Sequence, residues 1–160
     1  MSSVNLGLTS ALTHLDWSLD SRTLIINSQA YELLWMDIST KKQVTASSAK
    51  AIGDDYASFT CCFGWQVRGI WKPFSDYTDV NATCRSNTRN FLATADDFGQ
   101  VNVYKYPCLV EKAIHSSYLG HSSHVTKVKF SADDKYLIST GGHDKTVLVW
   151  ENFYGVQSTS

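Results

Sequence analysis

The stretch from Gly120 to Trp150 constrains the fold more than any other part of the chain: G-H-S-S-H-V-T-K-V-K-F-S-A-D-D-K-Y-L-I-S-T-G-G-H-D-K-T-V-L-V-W. It contains a Gly-His pair, three short strand-like runs, an Asp in the last turn and a closing Trp. Runs this short, joined by turns this tight, pair as neighbours in a small antiparallel sheet. One such sheet has two faces to bury, and a repeated unit covers one of them with its neighbour.

The copies are present. From Leu12 to Asp37 the chain reads L-T-H-L-D-W-S-L-D-S-R-T-L-I-I-N-S-Q-A-Y-E-L-L-W-M-D. Laid on the reference stretch with one residue omitted, Gly7 matches Gly120, Leu12 matches Val125 and Trp17 matches Phe130. Leu8 stands in the place of His121, Ala30 falls at or beside the place of Asp144, and either Trp35 or Met36 takes the place of Trp150. Another copy begins at Asp79, where Cys84 to Tyr104 has the same offset as Phe130 to Trp150, Thr94 coincides with Thr140 and Tyr104 with Trp150. Repeats of this size signal a radial or solenoid architecture, and this pattern is that of WD-repeat blades in a β-propeller. The predicted fold class is all-β, with about three blades in a single WD-repeat region, approximately 7–46, 47–116 and 117–160. Closed rings use ~4 to 8 blades, so the expectation is an incomplete propeller or a fragment.

Within the first blade the periodicity predicts strands at Leu12–Trp17, Thr23–Asn27 and Tyr31–Met36, and an outer strand at Gln43–Ala46 with polar side chains at its edge. The first blade lacks the His and the Asp, so packing of Tyr31, Leu33 and Leu34 is expected to hold its third strand. A connection from 47 to 77 carries strand-like runs at Phe59–Phe63 and Gln66–Trp71, broken by Gly and Pro. Tyr106 to Tyr118 supplies an outer strand for the second blade, and Glu151 to Ser160 would supply one for the last. Val147, Leu148, Val149 and Trp150 are apolar on both faces, as in a sheet sandwiched between two others.

Composition excludes several classes. With 43% hydrophobic residues, five Trp, eight Tyr and seven Phe against two Pro, the chain is globular and strand-rich. A formal net charge of -1 gives no pull toward nucleic acid or acidic membranes. Met1–Leu12 has neither the basic region nor the apolar run of a signal peptide or anchor, and no stretch is apolar for long enough to span a membrane. Four Cys without C-x-x-C spacing read as reduced thiols of an intracellular protein, in which the sequon Asn81-Ala82-Thr83 has no role.

His121, Thr140, Asp144 and Trp150 are spaced as a structural tetrad. A buried imidazole needs a partner at each nitrogen, so the Asp carboxylate takes one side and the Thr hydroxyl bridges the other toward the indole N–H. His115, His121, His124 and His143, with Asp144 and Cys108 nearby, invite a metal reading, but they are scattered over separate strands and turns rather than set in paired short spacings. The pairs Asp54-Asp55, Asp96-Asp97 and Asp133-Asp134 fit turn chemistry better than acid/base catalysis. No phosphate loop, nucleophile elbow or dinucleotide fingerprint occurs, and neither enzyme activity, a cofactor nor a metal is expected. Lys105 to Lys145 holds six Lys against four acids, Lys127 and Lys129 on one strand face, which reads as a solvated face or a weak patch for an acidic partner such as a tubulin tail.

T-H-L-D-W-S-L-D-S, T-C-C-F-G-W-Q-V-R-G-I-W-K-P-F-S-D-Y-T-D-V-N-A-T-C-R, A-T-A-D-D-F-G-Q-V and G-H-S-S-H-V-T-K-V-K-F together resemble the C-terminal end of the echinoderm microtubule-associated protein-like family. The likeness covers roughly residues 7 to 150, and the connection through Thr60 to Arg85 is its most specific part. The resemblance implies the last blades of the second of two joined propellers, in non-catalytic cytoplasmic proteins that bind tubulin and organise microtubules. It carries over no tubulin-contacting residue. The alternative is a general WD-repeat scaffold for other proteins. An open arc of blades is also expected to self-associate, because it leaves apolar faces and strand edges uncovered.

Overall fold

The structure is a computed structural model that describes residues 3–52 and 55–151, the side chains of 50–52 excepted. Asp54 and the expected strand beyond Glu151 lie outside the described residues. The chain divides into two compact units, Met1–Phe63 and Gly64–Ser160.

The first unit is a four-stranded antiparallel sheet of β1 (Leu12–Trp17), β2 (Thr23–Ser28), β3 (Leu33–Asp37) and β4 (Lys42–Val44), in that order. Its turns are closed by their own side chains. Asp20 accepts from Ser18 Oγ at 2.6 Å and from the Arg22 N–H at 3.0 Å, and Asp37 does the same for Ser39 Oγ and the Thr40 N–H. Ile25, Ile26 and Leu34 are buried with Tyr56, Phe59 and Cys61 of the following segment.

Four sequence expectations change in this unit. The third strand begins at Leu33, because Tyr31 takes a left-handed backbone (φ 63°) and its N–H closes a turn on the Ser28 carbonyl. Leu34 is the buried residue of the expected trio, whereas Tyr31 is largely exposed and sets its ring edge-on to Phe63. The outer strand stops at Val44, since Thr45 Oγ1 accepts the Ser48 N–H and starts a short helix, α1 (Ala46–Ile52). The run Phe59–Phe63 forms no strand. The N–H groups of Thr60 and Cys61 bond instead to the buried Asp16 carboxylate, at 2.6 and 3.0 Å, and Ser58 Oγ joins them at 2.6 Å.

The second unit opens with a 3-10 helix, Trp65–Ile70, where a strand was expected over Gln66–Trp71. That helix is tied to Cys108, whose N–H donates to the Gln66 carbonyl and whose carbonyl accepts from Gly69. A four-stranded sheet follows, β5 (Val80–Arg85), β6 (Phe91–Asp96), β7 (Gln100–Lys105) and β8 (His115–Leu119), then a three-stranded sheet of β9 (Val125–Phe130), β10 (Tyr136–Gly141) and β11 (Val147–Glu151). The outer strand of the four-stranded sheet is shorter than the predicted Tyr106–Tyr118.

One core joins these two sheets. Ala82, Cys84, Ala93, Ala95, Val101 and Val103 pack against Val125, Val128, Phe130 and Leu137. Alanines and Cys84 on the first sheet face the bulkier Phe130 and Leu137 on the other, a size match that close packing favours. The far face of the last sheet is not covered among the described residues: Val147 and Val149 are 64% and 58% exposed, while Leu148 and Trp150 turn inward. The expectation of a strand buried on both faces therefore fails for β11.

Candidate functional site

The most elaborate polar arrangement in the described residues is built on the last sheet. The His121 imidazole is fully buried, with Nδ1 at 2.9 Å from Asp144 Oδ2 and Nε2 at 2.7 Å from Ser139 Oγ. Trp150 Nε1 donates to the same Ser139 Oγ at 2.8 Å, and Thr146 Oγ1 lies 2.9 Å from Nδ1. The donors and acceptors close with the Nδ1–H tautomer: Nδ1–H donates to Asp144, the Ser139 hydroxyl donates to Nε2, and the indole N–H donates to Ser139.

The bridging hydroxyl is thus Ser139 and not Thr140. Side chains alternate along β10, so Leu137 and Ser139 point into the core while Thr140 points away and pairs with Thr126 Oγ1 at 2.9 Å. The misplacement has a countable cause. Leu137 opposes Trp150 as Leu92 opposes Tyr104, but Thr140 opposes Val147 where Ala95 opposes Val101, so the β10–β11 turn is one residue longer than the β6–β7 turn. Thr94 therefore matches Ser139. By the same register Met36, opposite Leu24, takes the place of Trp150 in the first unit.

Glycines make room for the network. A Cβ on Gly141 would lie 1.8 Å from Asp144 Oδ1, and one on Gly120 would lie 2.8 Å from the Trp150 ring. Burial opposes ionisation of Asp144, but the bonds from His121, Thr146 and Ser122 outweigh it and bring its pKa down to about 2. The carboxylate is therefore ionised throughout the neutral range, an acceptor fixed in place rather than a proton donor.

The other candidates do not converge. His115 stacks on Tyr104 with centroids 4.7 Å apart, while His124 and His143 meet edge to face at 5.2 Å. Among the described residues no three His, Cys, Asp or Glu side chains come together in a way that could hold a metal ion. Burial pushes the Cys61 thiol far up and the Cys108 thiol up to about 11, so both stay protonated at neutral pH. The paired carboxylates point apart: Asp96 accepts from Phe98 and Gln100 in its own turn, whereas Asp97 accepts from Asn81.

Asp133 and Asp134 separate in a way the turn reading missed. Asp133 closes its own turn on Ser131 and Lys135, as Asp residues in turns do. Asp134 is 2% exposed and reaches the neighbouring sheet, accepting from the Asn87 N–H at 2.8 Å, Asn87 Nδ2 at 2.9 Å and the Thr88 N–H at 2.7 Å. It pins the β9–β10 turn to the β5–β6 turn. No sequence signal separates it from Asp133, since the two are adjacent and alike. Lys127 and Lys129 are both exposed on β9, opposite Thr140 and Ile138.

Small antiparallel sheets stacked through an apolar core, one of them locked by a His-Ser-Asp-Trp network, define a protein of the WD-repeat β-propeller class. The family model described as Echinoderm microtubule-associated protein second beta-propeller matches residues 3–152. The chain belongs to the echinoderm microtubule-associated protein family. It is 45% identical over 145 residues to Echinoderm microtubule-associated protein-like 1 of Mus musculus, covering 90% of this chain and 18% of that protein. Identity is 47% to Echinoderm microtubule-associated protein-like 2 of Homo sapiens, with 90% and 22% covered, and 43% to Echinoderm microtubule-associated protein-like 4 of Mus musculus, with 91% and 15% covered. The chain thus spans less than a quarter of the length of these relatives. A solved structure described as "Structure of U3-55K" aligns over 91% of this chain and 37% of its own, at 15% identity and a TM-score of 0.46.

Proposed function

We propose that this chain is part of a non-catalytic propeller that binds tubulin or microtubules and helps to organise them in the cytoplasmic cytoskeleton. The observation that carries this reading is the family match along 3–152, together with relatives whose names describe them as microtubule-associated. The site geometry supports the non-catalytic part: the imidazole and carboxylate of the network are occupied by structural bonds, and the buried thiols are held protonated.

Co-sedimentation with polymerised microtubules, run beside a pull-down with unpolymerised tubulin, tests the reading. Retention in either assay, reduced by raising the salt concentration, is the expected result, because acidic tubulin surfaces would be met in part by exposed lysines such as Lys127 and Lys129. A folded chain that neither assay retains would remove the binding function from this polypeptide.

A further inference from the structure

The four-stranded sheet of the second unit rebuilds three parts of the histidine network and omits the fourth. Thr94 opposes Asn102 as Ser139 opposes Leu148, and Tyr104 opposes Leu92 as Trp150 opposes Leu137, so a hydroxyl and an aromatic O–H stand where the serine and the indole stand. The carboxylate arrives by a different route. Asp96 opposes Val80 as Gly141 opposes Val125. Because a Cβ on Gly141 would run into the Asp144 carboxylate, a side chain at that register points to the carboxylate's place, and Asp96 supplies its own.

The imidazole has no replacement. Counting back from the first strand pair, the position of His121 corresponds to Asp76, which is exposed and closes a local turn on the Thr78 N–H at 3.0 Å and the Thr78 hydroxyl at 2.6 Å. A cavity of about 30 Å³ remains, bounded among others by Ser75, Thr94, Asp96, Asn102 and Tyr104. The buried Ser75 Oγ has no hydrogen-bond partner, and Thr94, 1% exposed, has only the neighbouring Tyr104 hydroxyl beside its Oγ1, without the geometry of a full hydrogen bond. Such hydroxyls call for a partner, because a buried polar group left unpaired is costly.

We propose that this cavity is a bound-water site in which one or two ordered water molecules replace the missing imidazole and link Thr94, Ser75 and Tyr104 toward Asp96. A water needs roughly 10–15 Å³ of such space and two to four polar neighbours, so one or two fit here and an imidazole-sized molecule does not. Water also matches the chemistry, since it both donates and accepts. A metal cation does not: Asp96 Oδ1 already accepts two backbone N–H groups and Oδ2 accepts Asn102 Nδ2, while Lys72 at the rim adds positive charge.

An atomic-resolution crystal structure of the full chain, native and soaked in a thallium salt, tests this. Expected are one or two density peaks within hydrogen-bond distance of Thr94 Oγ1, without anomalous signal after the soak, and loss of the nearest peak in the near-isosteric Thr94→Val variant. An empty cavity or a thallium peak would overturn the proposal, as would a peak unchanged by T94V. Should T94V fail to fold, the native density and a water-to-Thr94 nuclear Overhauser effect in solution decide the matter.

Discussion

Ser139 holds two bonds that no other group in the network replaces: one to His121 Nε2 and one from the Trp150 indole. Ser139→Ala leaves the buried imidazole and the part-buried indole N–H unsatisfied, which is expected to cost about 1–3 kcal/mol. Thr140→Val removes only a part-buried pair with Thr126, whose hydroxyl keeps the Thr140 carbonyl as an acceptor, and is expected to cost less than about 1 kcal/mol. Urea unfolding followed by tryptophan fluorescence measures both, and equal losses would contradict the assignment of Ser139 as the bridge. Gly141→Ala is the steric counterpart. A methyl aimed at the Asp144 carboxylate forces the β10–β11 turn to move, and the same titration should show a loss of about 1–3 kcal/mol, as for overpacked interiors. The types of residue in this network were legible from spacing, since a buried imidazole demands an acid and a hydroxyl. Which hydroxyl was not, because one extra turn residue shifts an alignment by one and strand parity then inverts the answer.

At the scale of elements, carboxylates do much of the fastening: Asp16 holds the connection after the first sheet, Asp134 ties two turns, and Asp144 anchors the imidazole. Burial raises the pKa of Asp134, yet the Asn87 and Thr88 donors prevail and keep it below its ordinary value, and Asp144 lies at about 2. A carboxyl whose folded pKa is depressed binds its proton later than the unfolded chain does, so its stabilisation is complete above the unfolded value and disappears as pH falls through the folded one. Asp96 shifts upward through burial and contributes with the opposite sign. The thermal midpoint should therefore hold steady above roughly pH 5 and fall between about pH 4 and pH 2, with a shallower fall in Asp144→Asn. A midpoint independent of pH across that window, or an unchanged slope in D144N, would show that these carboxylates do not govern acid stability. The strands themselves were legible because alternation and turn residues are local. The connection was not: its apolar runs at Phe59–Phe63 and Gln66–Trp71 look like strands, but their backbone groups are engaged by Asp16 and by the segment at Cys108, partners remote in sequence.

On the whole molecule, the outer face of the last sheet decides how the chain behaves in solution. Ile138 opposes Val149 and Thr140 opposes Val147, which sets Ile138, Val147 and Val149 on one side, with Tyr136 beside them at 41% exposed. Lys129 and Lys127 lie on that same side, opposite Ile138 and Thr140, so charge sits along β9 and apolar surface along β10 and β11. The lysines keep part of the face wet, but the β11 side offers apolar side chains next to a strand that pairs only with β10 among the described residues. An edge of this kind accepts another strand, and the apolar stripe adds a driving force of roughly 25 cal/mol per Å² covered. The chain expressed alone is therefore expected to self-associate at micromolar concentration. Converting Val147 and Val149 together to Lys extends the charged columns across the sheet without touching the half-buried Leu148 or Trp150, which packs on the shared core. Light scattering should then report a shift from oligomer to monomer, with the tryptophan fluorescence of the folded state retained. A sharp monomer peak from the unaltered chain would show instead that the uncovered stripe is too small, or too well guarded by Lys127 and Lys129, to hold a second copy.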